Sequence, residues 1–261
     1  MKHPRSVASV LCGALLVGVT ACSGGSGGDT ASPTRPPATS ATSTPTLAQP
    51  TTLPTVAPPT VVTAPPVTTT VTPAFASTVS TVTAADLGAS WREGCPVGPE
   101  SLRRLALSYW DFDGQPRTGA LVVHAEVADA VTGVFRRLFE QRFPIRRMET
   151  IDKYNGSDDA SMDAANTSGF NCRLAVTSGP AQWSVHSFGK AIDVNPVENP
   201  YVLGSRVLPP AGSAFLDRAD VRPGMAVAGG PLVDAFAAAG WQWGGRWAGS
   251  PDYQHFSATG G

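Results

Sequence analysis

Apolar residues recur at helical spacing in two stretches of the chain. Between residues 126 and 143 they form a single stripe, which predicts an amphipathic helix that ends at Pro144. The stripe consists of Val127, Val131, Val134, Phe135, Leu138 and Phe139. Residues 232–239 predict a second, shorter helix, which Gly240 caps at its C-terminus.

Shorter apolar runs predict strands. They cover residues 119–124, 145–151, 174–177 and 191–194. Residues 101–109 also carry regularly placed leucines, but their spacing fits a helix and a strand equally well. Hydropathy therefore indicates a domain of mixed helices and strands and leaves their arrangement open.

Two long polar segments separate these elements. Residues 155–168 hold several acids and amides but lack the ligand spacing and closing glutamate of an EF-hand, which favours a surface loop near the functional site over a calcium site. Residues 196–230 are rich in proline and glycine. A connection of that length often shapes a substrate cleft.

The N-terminal residues have the composition of a targeting segment. Residues 1–21 begin with Lys2 and Arg5 and continue with a short apolar run, which predicts a signal peptide. Small residues precede Cys22 and a Gly/Ser run follows it, a pattern that resembles a bacterial lipoprotein processing site. Cys22 is therefore the predicted lipidation site, and the alternative is an ordinary signal peptide with an incidental cysteine.

Residues 22–85 predict a disordered Thr/Pro/Ser-rich tether. This stretch holds 11 of the 24 prolines and almost no charge, so it cannot build a packed core. Such a segment reaches roughly 45 Å as a coil and roughly 190 Å as polyproline II. The sequence thus predicts a protein held at the cell membrane by its lipid alone, with its domain facing the extracytoplasmic cell wall.

Residues 86–261 are long enough for one domain with a sizeable core. The whole chain has 19 basic and 20 acidic residues, a balance that does not suggest a nucleic-acid partner, and we expect a monomer. Cys95 and Cys172 are the two cysteines of this domain, and in an exported protein they predict a disulfide. The alternative, a cysteine zinc ligand, is disfavoured because neither lies near a histidine cluster in the sequence.

Candidate chemistry lies in two clusters. His186 precedes Asp193 by seven residues, and Asp193 occupies an apolar run in which an unpaired carboxylate is costly. Asp252 precedes His255 by three residues near the C-terminus. Two histidines and one aspartate supply the donors of a catalytic zinc site whose fourth position is open to water, and Asp252 is then a candidate general base. The alternative for each histidine is a structural role, which we assign to the isolated His124.

Seven residues of these clusters form a two-part motif. They stand in the order Ser184-x-His186-x-x-Gly189-x-Ala191-x-Asp193 and, further on, Asp252-x-x-His255. This motif resembles the signature of the zinc D-Ala-D-Ala carboxypeptidase family, peptidase family M15, which also contains L-alanyl-D-glutamate endopeptidase-like members. The resemblance spans roughly residues 94–256. It is specific because both halves occur in order within one small domain.

The resemblance implies a fold and a metal. The fold would be α+β, a small antiparallel sheet with flanking helices and a zinc cleft, of the D-Ala-D-Ala carboxypeptidase/hedgehog-like kind. The cofactor would be Zn²⁺, with His186, Asp193 and His255 as ligands and Asp252 as the catalytic base.

The resemblance also implies contacts around the metal. Arg173 matches an upstream arginine that faces the substrate, and Ser184 is a second candidate substrate contact. Asn195 is a candidate for orienting a ligand. The chain departs from the pattern at Ser257, where many relatives carry an acid.

The implied function is hydrolysis of peptide bonds in peptidoglycan stem peptides at the cell surface. A carboxypeptidase and an endopeptidase both remain open. The alternative is a catalytically weak peptidoglycan-binding module with a structural zinc, against which Asp252 argues, since a binding module needs no base. A third reading is a zinc hydrolase of another amide.

Overall fold

A computed structural model describes residues 73–176 and 180–260 of the chain. The predicted signal peptide, the lipidation site at Cys22 and most of the predicted tether lie outside these residues. Within the described ranges, no helix has the length and apolar character needed to cross a membrane.

The described residues form an α+β structure with mainly antiparallel strand pairs, as predicted. The strands, in chain order, are β1 (Ser77–Thr81), β2 (Leu102–Trp110), β3 (Pro116–His124), β4 (Arg147–Met148), β5 (Asn166–Thr167), β6 (Ala191–Asp193), β7 (Tyr201–Leu203), β8 (Arg206–Leu208), β9 (Gln242–Trp243) and β10 (His255–Ser257). The α-helices are α1 (Ala84–Leu87), α2 (Ala128–Glu140), α3 (Asp158–Asp163) and α4 (Pro231–Ala237).

The first sheet has the order β1-β2-β3 and is antiparallel throughout. It resolves the ambiguous residues 101–109 as a strand, because Leu105 pairs with Leu121 and both side chains are fully buried on the core face. The turn between β2 and β3 is closed by Asp111, whose carboxylate accepts hydrogen bonds from the backbone N–H groups of Asp113 and Gln115.

The amphipathic helix predicted near residues 126–143 is α2, and its apolar stripe packs on the first sheet. The helix ends at Glu140, four residues before Pro144, so the prediction that proline ends it was wrong. Arg142 adopts a left-handed conformation with φ +53°, and Phe143 N–H donates to the carbonyl of Leu138. This Schellman-type turn satisfies the last carbonyls and stops the helix before the proline is reached.

A second antiparallel sheet, of order β6-β10-β9, continues the same core. Ile192 of β6 and Phe256 of β10 are fully buried in that core, and Phe256 stacks on Phe236 of α4 with ring centroids 4.2 Å apart. The helix predicted at residues 232–239 is thus present as α4 and supports the back of this sheet.

Two predicted strands are shorter or absent. Residues 145–151 contain only the two-residue β4, because the side-chain amide of Asn166 bonds both backbone groups of Glu149 and ends the ladder with β5. In residues 174–176, the described part of the run at 174–177, Leu174 makes a single bridge to Trp183 and no strand forms.

The prediction of a surface loop at residues 155–168 was also wrong. This segment contains helix α3 and strand β5, and its C-terminal part is buried. The buried polar residues are Ser161, Asn166, Thr167 and Ser168. Hydrogen bonds satisfy Asn166 in particular, so the polar sequence does not mark a solvent-exposed loop.

Strand β1 and the first two residues of helix α1 fall within the stretch that composition assigned to the tether. The folded part therefore reaches further towards the N-terminus than the predicted boundary at residue 86. Four of the five β1 side chains are exposed, and the strand adds to the sheet edge through backbone pairing with β2. A strand of this kind carries no apolar stripe, which is why its composition resembles that of the tether.

The predicted disulfide between Cys95 and Cys172 is present. It joins residues 77 positions apart in sequence, and Cys172 is buried in a small core cluster with Leu102 and Phe170. The bond ties the N-terminal turn of the domain to the residue just before Arg173.

We expect the Cys95→Ser/Cys172→Ser variant to lose about 2–5 kcal/mol of unfolding free energy, because the crosslink restricts a long loop in the unfolded chain. Urea denaturation followed by circular dichroism measures this. A reducing agent should shift the unmutated protein to the same midpoint and leave the variant unchanged. Equal midpoints for the variant and the oxidised protein would contradict the expectation.

Candidate metal centre

The 3₁₀ turn Val185–Phe188 carries His186. Ser184 caps the turn by accepting a hydrogen bond from His186 N–H, and Gly189 ends it with φ +65°. A Cβ atom at Gly189 would lie 2.6 Å from the backbone nitrogen of His124, so both conformation and space require glycine here. The spacing between His186 and Gly189 in the motif thus follows from the turn.

Strands β6 and β10 bring the other two candidate ligands together. Asp193 and His255 are direct partners across this antiparallel pair, so their side chains lie side by side on one face. Their neighbours Ile192 and Phe256 point to the opposite face and into the core. The same register therefore anchors the sheet and presents two polar side chains to the cleft.

His186, Asp193 and His255 form a compact, buried group. His186 Nε2 lies 3.2 Å from His255 Nδ1 and 3.1 Å from Asp193 Oδ2, and His255 Nδ1 lies 3.2 Å from Asp193 Oδ1. Four ligands at about 2.1 Å around a tetrahedral zinc stand about 3.4 Å from one another. The separations between the nitrogens of the two histidines and the carboxylate oxygens of Asp193 are close to that geometry.

The hydrogen bonding of His186 supports the same conclusion. Its Nδ1 lies 2.7 Å from the carbonyl oxygen of Gly169, which can only accept, so Nδ1 carries the proton in the neutral ring. Nε2 then presents a lone pair towards the Asp193 carboxylate, an arrangement that needs a proton or a cation between the two atoms. The donor set and its geometry therefore fit a zinc ion.

Electrostatics in the group favour a bound positive charge. Burial alone lowers the pKa of His186, but the adjacent Asp193 carboxylate outweighs burial and raises it above the ordinary value. For Asp193, burial raises the pKa, whereas His186 and His255 lower it strongly, so the carboxylate is ionised. An ionised, buried carboxylate beside two imidazoles is a site prepared for a cation.

Asp252 lies on the loop before β10, as its spacing from His255 requires. Its backbone N–H donates to the carbonyl of Gly244, and its backbone forms an isolated antiparallel β-bridge with Tyr201 of β7. Its Oδ1 is buried and has no hydrogen-bond partner among the described residues. Burial, and then the charge of Asp193, raise the pKa of Asp252 to about 7.

These residues open onto one cleft, a cavity of about 240 Å³. Arg173, Ser184 and Asp252 line it together with the candidate metal-binding group, which consists of His186, Asp193 and His255. The structure thus brings all the predicted cleft residues into one place. Tyr201 and Leu208 of the β7–β8 hairpin form part of its wall, in accord with the expectation that residues 196–230 shape a cleft.

Asn195 does not contact a ligand side chain, so the expected orienting role was wrong. Its amide accepts from the backbone of Arg146 and donates to the carbonyls of Pro144 and Gly224. Asn195 thus fixes the chain where it leaves β6 and enters the long connection.

The sequence left two features of the cleft unassigned. Asp158 lines it from helix α3, within the segment that was predicted to be a surface loop. Trp247 also lines it, with its ring 5.3 Å from that of His255, whereas Trp241 and Trp243 pack against the core. The sequence places Trp241, Trp243 and Trp247 shortly before Asp252, which predicts groove-lining and core packing equally well. Nothing in the sequence distinguishes Asp158 from its acidic neighbours.

Comparison with known proteins points to one family. Residues 177–258 match the family model of a D-alanyl-D-alanine carboxypeptidase, Peptidase_M15_4. No curated protein and no solved structure shows a significant match to the chain. The matched segment holds the three candidate ligands and Asp252, whereas Cys172 and Arg173 lie just before it and Cys95 lies far before it. The part of the chain that carries the two-part motif is therefore similar to the M15 family of peptidases, whose matching model is that of a D-alanyl-D-alanine carboxypeptidase.

Proposed function

We propose that this protein is a zinc-dependent peptidase that hydrolyses peptide bonds in peptidoglycan stem peptides, as a carboxypeptidase or an endopeptidase. The observation that carries the proposal is the buried His186–Asp193–His255 group with Asp252 in the same cleft. A zinc cleft of the D-Ala-D-Ala carboxypeptidase/hedgehog-like kind is part of the proposal. The substrate class follows from the family match.

His186, Asp193 and His255 would hold the zinc ion. A zinc ion in such a site supplies Lewis-acid chemistry, which polarises a peptide carbonyl and makes water more acidic. The protein supplies the orientation of the ligands. Gly169 fixes the imidazole of His186, and the pairing of β6 with β10 fixes the other two side chains.

Asp252 would act as the general base and then as the general acid. It would accept a proton from the attacking water and return it to the nitrogen of the leaving amine. Burial raises the pKa of Asp252 to about 7 in the metal-free protein, so its carboxylate is a stronger base than that of an exposed aspartate. A purely structural zinc site has no use for such a group, which favours an enzyme over a wall-binding module.

Arg173 and Ser184 would contact the substrate. Arg173 lines the cleft, and its guanidinium would donate a hydrogen bond to a substrate oxygen. Ser184 lines the cleft and caps the turn of His186, which links a substrate contact to the position of a ligand.

The proposed location is the outer face of the cell membrane. Lipidation at Cys22 and the tether would place the domain within the wall, where the stem peptides are. The disulfide between Cys95 and Cys172 supports an exported protein, since such bonds persist in oxidising compartments.

Digestion of purified peptidoglycan and of defined stem peptides, followed by mass spectrometry, tests the proposed reaction. Release of a terminal D-alanine identifies a carboxypeptidase, and an internal cut identifies an endopeptidase. A chelator should abolish both products. If the folded, zinc-loaded protein binds the wall without cleaving it, the binding module replaces the peptidase.

A further inference from the structure

An ion pair forms part of the wall of the cleft. Arg173 Nη2 lies 2.9 Å from Asp158 Oδ2, and the two side chains are about one-fifth exposed, 22% and 19%. Arg173 is the one lysine or arginine among the described residues that line the cleft. Its guanidinium therefore supplies the positive charge of the described cleft side chains and also pairs with the Asp158 carboxylate.

The backbone of Arg173 is held rigidly. Its N–H donates to the hydroxyl of Ser187, and that hydroxyl donates to its carbonyl oxygen at 2.7 Å. Cys172, the residue before it, is crosslinked to Cys95. What remains free is the long side chain, whose orientation depends on the contacts of its guanidinium.

The position of Asp158 is fixed by its helix and by a hydrogen bond. Asp158 opens helix α3, whose N-terminus is capped by Ser157, and its Oδ1 accepts from the side-chain amide of Asn171. Gln254, beside His255, donates to the sulfur of Met162 on the same helix. Helix α3 is thus attached to the segment that carries His255, and its first residue has a defined place in the cleft.

We propose that Asp158 is a positioning residue for Arg173, an inference that rests on the proposed peptidase function. The ion pair with Nη2 holds the guanidinium in the wall of the cleft, where its remaining N–H groups would donate to the carbonyl oxygen of the scissile bond. A guanidinium held in this way offers a directed N–H group. Without Asp158, the side chain would sample several rotamers and the donor would be misplaced.

Replacement of Asp158 by alanine tests the role in catalysis. We expect kcat/KM for a cleaved stem peptide to fall by about 10- to 100-fold, with the zinc content unchanged. Asp159→Ala is the matched control. Asp159 is exposed, and its replacement removes the same charge from the same helix. Asp158→Asn, which keeps the shape of the side chain, should give a smaller loss in the same direction.

A double substitution distinguishes positioning from an independent contribution. If Asp158 acts through Arg173, then Asp158→Ala should have little effect in an Arg173→Ala background. If Asp158→Ala lowered kcat/KM by the same factor with and without Arg173, the proposal would be overturned. It would also be overturned if Asp158→Ala and Asp159→Ala had the same kcat/KM.

Arginine side-chain NMR gives a readout that needs no activity. We expect separate Nη signals for Arg173 in the unmutated protein and in Asp159→Ala, and one averaged signal in Asp158→Ala. Unchanged signals in Asp158→Ala would overturn the positioning role. If the signals average as expected but the unmutated protein cleaves no wall peptide, the positioning of Arg173 stands and the proposed peptidase function fails.

Discussion

Replacement of Asp252 by asparagine is expected to lower kcat by about 10²- to 10⁴-fold, because the variant has no base to accept the proton of water. The three ligand side chains are untouched, so the zinc content should remain that of the unmutated protein. Steady-state kinetics on a cleaved stem peptide and metal analysis of the same sample measure the two quantities.

The free energy of unfolding of Asp252→Asn should not be lower than that of the unmutated protein. This result would distinguish a catalytic role of Asp252 from a structural one. Burial raises the pKa of Asp252 to about 7 in the folded, metal-free protein, above the unfolded value of about 3.9. The folded state therefore holds a proton that the unfolded state has lost, and the stability of the unmutated protein falls as the pH rises from about 4 to 7. Asparagine does not titrate, so the free energy of unfolding of the metal-free variant should not show this decrease between about pH 4 and pH 7.

Asp113→Asn provides the matched control for Asp252, since Asp113 lies exposed in the β2–β3 turn. It should keep full activity and the pH dependence of stability. A variant at position 252 that retains its kcat would contradict the assignment of the base. A variant that loses its zinc would show that Asp252 supports the metal instead.

Replacement of His186 by alanine is expected to remove both zinc and activity. The variant retains only Asp193 and His255, and two donors do not complete a zinc site. The loss of kcat/KM should exceed about 10³-fold, since Lewis-acid stabilisation of the transition state amounts to several kcal/mol. Inductively coupled plasma mass spectrometry and the peptide assay check the two losses together.

His124→Ala is the control for this experiment. His124 lies outside the metal-binding group and accepts a hydrogen bond from the backbone N–H of Glu126. Its replacement should leave the zinc content and activity intact. Full activity in His186→Ala would contradict the proposed site, and zinc loss in His124→Ala would show that the assay reports general unfolding.

The sequence predicted the centre of the site better than its surroundings. The grouping of His186, Asp193 and His255 could be predicted because a metal site requires particular donor types, and the turn and the two strands that carry them impose fixed spacings. Helix α2 could be found because a long apolar stripe repeats over several turns. In each case the chemistry or the packing restricts many positions at once.

The features that were missed depend on contacts between distant residues. The pairing of Asp158 with Arg173 joins positions that are far apart in sequence, and no local pattern marks the acid that makes it. Strand β4 ends where the side chain of Asn166 replaces a backbone partner. Strand β1 is recruited by the free edge of β2, so its own composition resembles that of the tether.

Titration of the metal-free protein with zinc tests the central claim most directly. The claim is that one zinc ion, held by His186, Asp193 and His255, makes this chain a peptidase. Hydrolysis of a stem peptide should increase in proportion to added zinc and reach its plateau at one equivalent. Hydrolysis by the metal-free protein, or none after one equivalent has bound, would contradict the claim.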